Sequence, residues 1–188
     1  MKIYFTASLI GKNKYNQAYQ AIVSNLKKTN HQVLERILKT DPLQPEKENE
    51  NQTKKIYQQI IAMLRQASIV VAEISQPSAS VGHEISLALE NNQPVIALYQ
   101  QGTGAKLLEG YPGEKLQMLC YDQHNLQPLL NSAVEQASSQ VDVRFNFFIT
   151  AKMMAYLDWI AKERKIPRSV FLRHLLEKEM AKDNWAKK

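Results

Sequence analysis

The sequence predicts an α/β chain: a doubly wound, five-stranded parallel sheet carrying a short helical arm at its C-terminal end. Three observations lead there. Apolar, β-rich runs alternate with helically spaced segments through residue 137, as in a parallel sheet with helical crossovers. Ser68–Ile74 holds the unbroken apolar run Ile69–Ala72, as a strand covered on both faces requires. After Ser138-Ser139-Gln140 the alternation stops and two amphipathic helices follow one another. A boundary near residue 140 therefore divides the chain into domains 1–140 and 141–188.

The elements follow in order. Lys2–Ser8 is the first strand, and Lys14–Lys28 is a helix with Ala18, Ile22, Val23 and Leu26 on one face. His31–Ile37 is the second strand. Asp41 to Asn51 is polar, aperiodic and holds two prolines, which makes it a loop. Lys55–Gln66 is a helix with Ile56, Ile60, Met63 and Leu64 inward, leading into the third strand at Ser68–Ile74. Val81–Asn91 is a helix, Pro94–Tyr99 and Leu116–Tyr121 are the last strands, and Leu126–Ala137 closes the domain. Ligands of such sheets lie beyond the carboxyl ends of the strands.

Composition sets outer bounds. Of 188 residues 44% are hydrophobic, enough for a buried core. Apolar runs stay strand-length, far from the roughly 18 residues that cross a bilayer. The N-terminus enters Lys2-Ile3-Tyr4-Phe5 directly, so a cytoplasmic chain without membrane contact is expected. The single cysteine, Cys120, excludes an internal disulfide, offers no metal spacing and reads as core. No metal or cofactor is expected. The net charge is +6, and residues 141–188 hold 11 Lys/Arg against 6 Asp/Glu, so the basic excess sits at that end. It is either a solvated helical face or a footprint for a polyanion.

Two N-terminal segments carry chemistry. Tyr4-Phe5-Thr6-Ala7-Ser8-Leu9-Ile10-Gly11 is a strand entering a small-residue turn. Residues 72–84, AEISQPSASVGHE, form a strand end, a Ser/Pro/Gly loop and a helix start. Small residues let backbone N–H groups approach a ligand, and a helix N-terminus favours an anion. A carboxylate at Glu84, in the first turn of such a helix, would be kept ionised by the helix dipole, as a nucleophile requires.

Over residues 2–137, and most closely over ASIVVAEISQPSASVGHEISLAL and PVIALY, the chain resembles the nucleoside 2-deoxyribosyltransferases and, within them, the deoxynucleoside 5′-monophosphate N-glycosidases. The resemblance implies a flavodoxin-like strand order and a nucleoside or nucleotide ligand. It implies Glu84 as the nucleophile that forms a glycosyl-enzyme, with Tyr4 orienting it. It also implies Ser8, Ser78, Ser80 and the amides near Gly82 around the sugar or its 5′-phosphate, and His83 as a wall of the base pocket.

Three positions depart from that family. Ile60 stands where an Asp would support acid–base work on the leaving base, and no Asp occurs between Asp41 and Asp122. An apolar side chain donates no proton. Ile10 aligns with a phosphate-contacting Arg, and Ser80 replaces a Gly. These departures favour ligand binding or slow turnover. Tyr57 offers a hydroxyl in place of the missing carboxylate, Glu73 ends a strand and is expected to bond to backbone, and Gly102-Thr103-Gly104 is a turn rather than a phosphate loop.

In the C-terminal segment Arg144–Thr150 reads as a strand, with Phe145, Phe147 and Ile149 on one face and Arg144, Asn146 and Phe148 on the other. Helices Ala151–Arg164 and Ser169–Asp183 follow. One strand and two short helices cannot bury their apolar faces alone, which calls for a homodimer. Residues 143–183 are similar to the ribbon-helix-helix family, and Lys165-Ile166-Pro167-Arg168-Ser169 lies at its inter-helix turn. That similarity implies duplex DNA as a partner, with Arg144, Asn146 and Phe148 facing base edges and Arg168 and Ser169 holding a phosphate. A dimerisation arm with a basic rim explains the same residues.

Two functions result. The departures at the N-terminal site favour a DNA-binding regulator whose first domain senses a nucleoside or nucleotide. The alternative is a nucleoside 2-deoxyribosyltransferase or deoxynucleotide N-glycosidase acting through Glu84, with a dimerising tail.

Overall fold

A computed structural model describes residues 1–42, 49–103, 106–139, 141 and 147–183. Two compact units divide the chain, Met1–Val143 and Arg144–Lys188.

In the first unit the strands are β1 (Lys2–Ala7), β2 (Gln32–Glu35), β3 (Ile69–Glu73), β4 (Val95–Gln100) and β5 (Leu116–Tyr121). All pairings are parallel, in the order β2-β1-β3-β4-β5. The helices are α1 (Lys12–Lys28), α2 (Glu50–Gln66), α3 (Ala79–Glu90), α4 (Lys106–Glu109) and α5 (Leu126–Ser139). Side chains alternate across the sheet, and that alternation divides the core. Ile3, Phe5, Val71, Ile96 and Leu98 pack with Tyr19 and Leu26 of α1 and Leu130 and Val134 of α5. Tyr4, Val70, Ala72, Val95 and Ala97 face the other way, against Leu64 of α2 and Val81 and Ile85 of α3. The doubly wound expectation holds.

Of the boundaries that differ, three do so for a local reason. The polar tract expected to be loop as far as Asn51 ends at Asn49, because Asn49 and Gln52 form a reciprocal capping box that starts α2 at Glu50. The second strand stops at Glu35. There the Glu35 carboxylate accepts from the Leu38 N–H, and Lys12 Nζ donates to the carbonyls of Leu38 and Thr40 around a 3₁₀ turn at Ile37–Lys39. Helix α3 starts two residues earlier than periodicity predicts, because Ser78 caps it by accepting from the Val81 N–H. Cys120 is exposed on the edge strand β5 rather than in the core.

The second unit contains α6 (Ala151–Glu163) and α7 (Arg168–Asp183). Thr150 caps α6 through the Met153 N–H. Tyr156 meets Phe171 edge-on at 6.0 Å between centroids, which ties the two helices together. Of the predicted strand, residues 147–150 have no strand structure. Arg144, Phe145 and Asn146 lie outside the described residues. Among the described residues no helix is long and apolar enough to cross a membrane.

Candidate functional site

Strand β1 pairs with both β2 and β3, so the strand order reverses at β1 and its carboxyl end is the switch point of the sheet. Ala7 and Glu73 are register partners at the ends of β1 and β3, so the two Ser-rich loops leave the sheet side by side. Gly11 shows how close they come. A Cβ there would lie 2.6 Å from the Tyr19 hydroxyl and 2.7 Å from Gln76 Cβ, so only glycine lets the first loop pass the second.

Glu84 lies at this end of the sheet, buried on the α3 face turned toward β1. The Tyr4 hydroxyl donates to Glu84 Oε2 at 3.0 Å. Because α3 begins at Ala79, Glu84 belongs to the second turn and not the first, which corrects the dipole argument. The end of a helix acts within its terminal turn. Burial instead pushes the Glu84 carboxyl above its usual range, opposed by the hydroxyls of Thr6 and Tyr4 and by the charges of His83 and Arg36. Burial, with the charge of Glu84 beside it, raises the Tyr4 phenol strongly, so Tyr4 is a fixed hydrogen-bond donor to the carboxylate.

Thr6 and Arg36 are site residues that sequence reading missed. Thr6 shares the Tyr4 face of β1 by simple alternation. Arg36 follows the last residue of β2, where the carboxyl-end rule points.

The remaining predicted residues fall into place unevenly. Ser8 is buried, accepts from the Gly11 N–H at 3.3 Å, and gives its carbonyl to the Tyr19 hydroxyl. Ser78 is the α3 cap, while Ser80 is exposed. A Cβ on Gly82 would meet nothing within 4 Å, so packing inside the chain does not demand glycine there. His83 is exposed and pairs with Tyr57 across from α2: the Tyr57 hydroxyl lies 3.5 Å from His83 Nε2, and the rings stack at 6.0 Å. Ile60, one turn along α2 from Tyr57, packs half-buried against the core. Ile10 is 76% exposed.

Glu73 accepts a backbone N–H as expected, and two hydroxyls besides. It is buried, and one carboxylate oxygen accepts from the Ser75 hydroxyl, the Ser75 N–H and, at 3.0 Å, the Tyr121 hydroxyl. Two clefts lie elsewhere. One of about 490 Å³ is lined by Val23, Lys27 and Leu38, and one of about 540 Å³ by Lys14, Tyr121 and Leu126. Neither is lined by Glu84.

Fold and geometry describe an α/β protein with a buried, tyrosine-held carboxylate at its switch point. Residues 3–141 match the nucleoside 2-deoxyribosyltransferase family, and the chain belongs to that family. It is 33% identical over 141 residues to a Syntrophotalea carbinolica protein named by inference as 2′-deoxynucleoside 5′-phosphate N-hydrolase 1, covering 72% of this chain and 96% of that one. It is 28% identical to the 5-hydroxymethyl-dUMP N-hydrolase of Mus musculus, covering 71% and 79% of the two chains. Among solved structures, the CMP N-glycosidase of Clostridium botulinum superposes with a TM-score of 0.50 at 16% identity, over 69% of this chain and 98% of that one, a likeness of fold.

These findings overturn the reading of the chain as a DNA-binding regulator, since the relatives are named as enzymes that cleave nucleotides. Arg168, expected to hold a DNA phosphate, is ion-paired with Asp158. Ser169 and Phe148 are exposed without a strand around Phe148, and Arg144 and Asn146 lie outside the described residues.

Proposed function

We propose that the first unit cleaves the N-glycosidic bond of a 2′-deoxynucleoside 5′-phosphate or its nucleoside, through a covalent glycosyl-enzyme on Glu84. The observation that carries this reading is the Tyr4–Glu84 hydrogen bond at the switch point. A nucleophilic carboxylate must be ionised and aimed. Tyr4 and Thr6 supply hydroxyls to it, and Arg36 supplies positive charge, against the cost of burial. Burial also removes the water that would blunt its attack. Glu84 adds to the anomeric carbon as the base departs, and water, or a second base, then releases the sugar. Ser78 and the amides at the start of α3 face the sugar or its phosphate, with Ser8 and Gly82 shaping the backbone around it. The names of the Syntrophotalea and Mus proteins support the substrate class.

The second unit acts as a dimerising arm in this reading. Chromatographic detection of free base from 2′-deoxynucleoside 5′-phosphates tests the activity, and Glu84→Gln is expected to abolish it. Binding of nucleotide without any base release would leave the site a sensor.

A further inference from the structure

The departure of a base from a sugar places an electron pair on a ring nitrogen, and unless the base is already cationic that pair needs a proton. The side chains around Glu84 narrow the choice of donor. Tyr4 is raised strongly and already donates to Glu84, so it is spent on the nucleophile. Ile60 has no proton to give and packs against the core. His83 neighbours Glu84 in sequence, and its charge acts on that carboxyl. It is exposed, on the side of α3 that meets α2, where Tyr57 stacks against it with its hydroxyl 3.5 Å from Nε2.

We propose that His83 is the acid that protonates the leaving base, with Tyr57 as the residue that positions its ring. This deepens the N-glycosidic reading and rests on it. Glu84 forms the C1′–O bond as the C1′–N bond breaks. The bonding pair goes to the base, and the His83 imidazolium gives the base its proton. In the second step water attacks C1′ and the C1′–O bond breaks, its pair returning to the Glu84 carboxylate. The proton of that water passes to the neutral His83. The sum is nucleotide plus water to free base plus sugar phosphate, with both residues restored. Histidine suits both steps because a ring nitrogen that gives a proton can afterwards take one back. Both rings are exposed, Tyr57 by 49%, so neither is sealed from a ligand.

The test compares dGMP with 7-methyl-dGMP, whose cationic base leaves as a neutral molecule and needs no acid. His83→Phe keeps an aromatic ring for stacking but carries no proton. It is expected to slow guanine release from dGMP by about 10²-fold, the lower range for general acid catalysis. Release of 7-methylguanine should stay within about threefold of the unsubstituted protein. Tyr57→Phe should show a smaller loss with the same selectivity. Equal loss on both substrates would mean that His83 only stacks or shapes the pocket, and no loss on either would mean it takes no part; each overturns the proposal. If the unsubstituted protein releases only 7-methylguanine, the N-glycosidic reading stands and the acid assignment falls. If it releases no base from any nucleotide, the N-glycosidic reading itself fails.

Discussion

The Tyr4 hydroxyl and Glu84 Oε2, separated by eighty positions in sequence, lie 3.0 Å apart, joining β1 to the second turn of α3. Both side chains are buried, so the bond forms where water cannot replace it. Tyr4→Phe removes a donor that favours the ionised carboxylate, while burial still disfavours it. The acidic limb of the pH–rate profile for base release should move to higher pH, and the rate near neutrality should drop about tenfold, roughly 1.4 kcal/mol. An unmoved acidic limb would show that Tyr4 does not tune Glu84.

The same burial makes a prediction about stability. The folded chain holds a proton on Glu84 at pH values where the unfolded chain has released it, because burial raises the folded-state carboxyl. The associated stability is fully present below the ordinary carboxylate range and is lost as pH rises through the raised value. Glu84→Gln cannot ionise and avoids that loss. It should exceed the unsubstituted protein by about 0.5–2 kcal/mol near pH 7.5, the usual gain when a strained functional group is replaced. The gap should close near pH 4 in urea titrations. Glu73, whose carboxyl burial also raises, should behave in the same direction.

Much of this arrangement was legible in the sequence, and the failures have physical causes. The unbroken apolar run Ile69–Ala72 and the alternation in β1 made the sheet legible, since period and burial are local properties. The start of α2 was missed because Asn49 and Gln52 read as loop residues until their reciprocal bonds are seen. The role of the dipole at Glu84 was misjudged by two residues of helix, which moved the carboxylate from an end effect to a burial effect. Arg36 was overlooked because its charge reaches Glu84 only once β2 is paired with β1. The basic C-terminal segment led to DNA because charge excess records a sign and not a partner. The ion pair between Arg168 and Asp158 is invisible in a charge count.

Two glycines should respond in opposite ways. Gly11→Ala places a methyl against the Tyr19 hydroxyl and the Gln76 backbone-proximal carbon, where the two loops cross. It should cost about 1–3 kcal/mol of stability, as overpacking does. Gly82→Ala meets nothing within 4 Å and lies inside α3, so it should raise stability by about 0.5–1 kcal/mol. If the ligand passes close to the backbone there, KM should rise at the same time. A stabilised variant with unchanged KM would remove Gly82 from the site.

Ile10 is an exposed apolar side chain at the turn after β1. Without an arginine at this position, discrimination between a nucleoside 5′-phosphate and the bare nucleoside should be modest. Ile10→Arg should raise kcat/KM for the phosphate by about 10- to 100-fold, matching a charged hydrogen bond of roughly 1.5–3 kcal/mol. The value for the nucleoside should hardly change, and the gain should shrink with added salt. Equal effects on both substrates would place the 5′-phosphate elsewhere.

The last prediction concerns assembly. On α6 and α7, Met153 is 54% exposed, Leu175 48%, Leu176 65% and Met180 44%, a concentration of apolar surface on two short helices. Among the described residues the pair is tied by the Tyr156–Phe171 contact and the Asp158–Arg168 ion pair, with Leu157 and Ile160 of α6 buried. An ion pair about half exposed contributes little, so these helices gain most from burying apolar area against a second copy. The full chain should therefore sediment as a homodimer at micromolar concentration, with a melting temperature that rises with protein concentration. Leu175→Glu with Leu176→Glu should give a monomer whose first unit still binds nucleotide. A monomer in the unsubstituted protein, or a dimer indifferent to these substitutions, would take the interface away from α6 and α7.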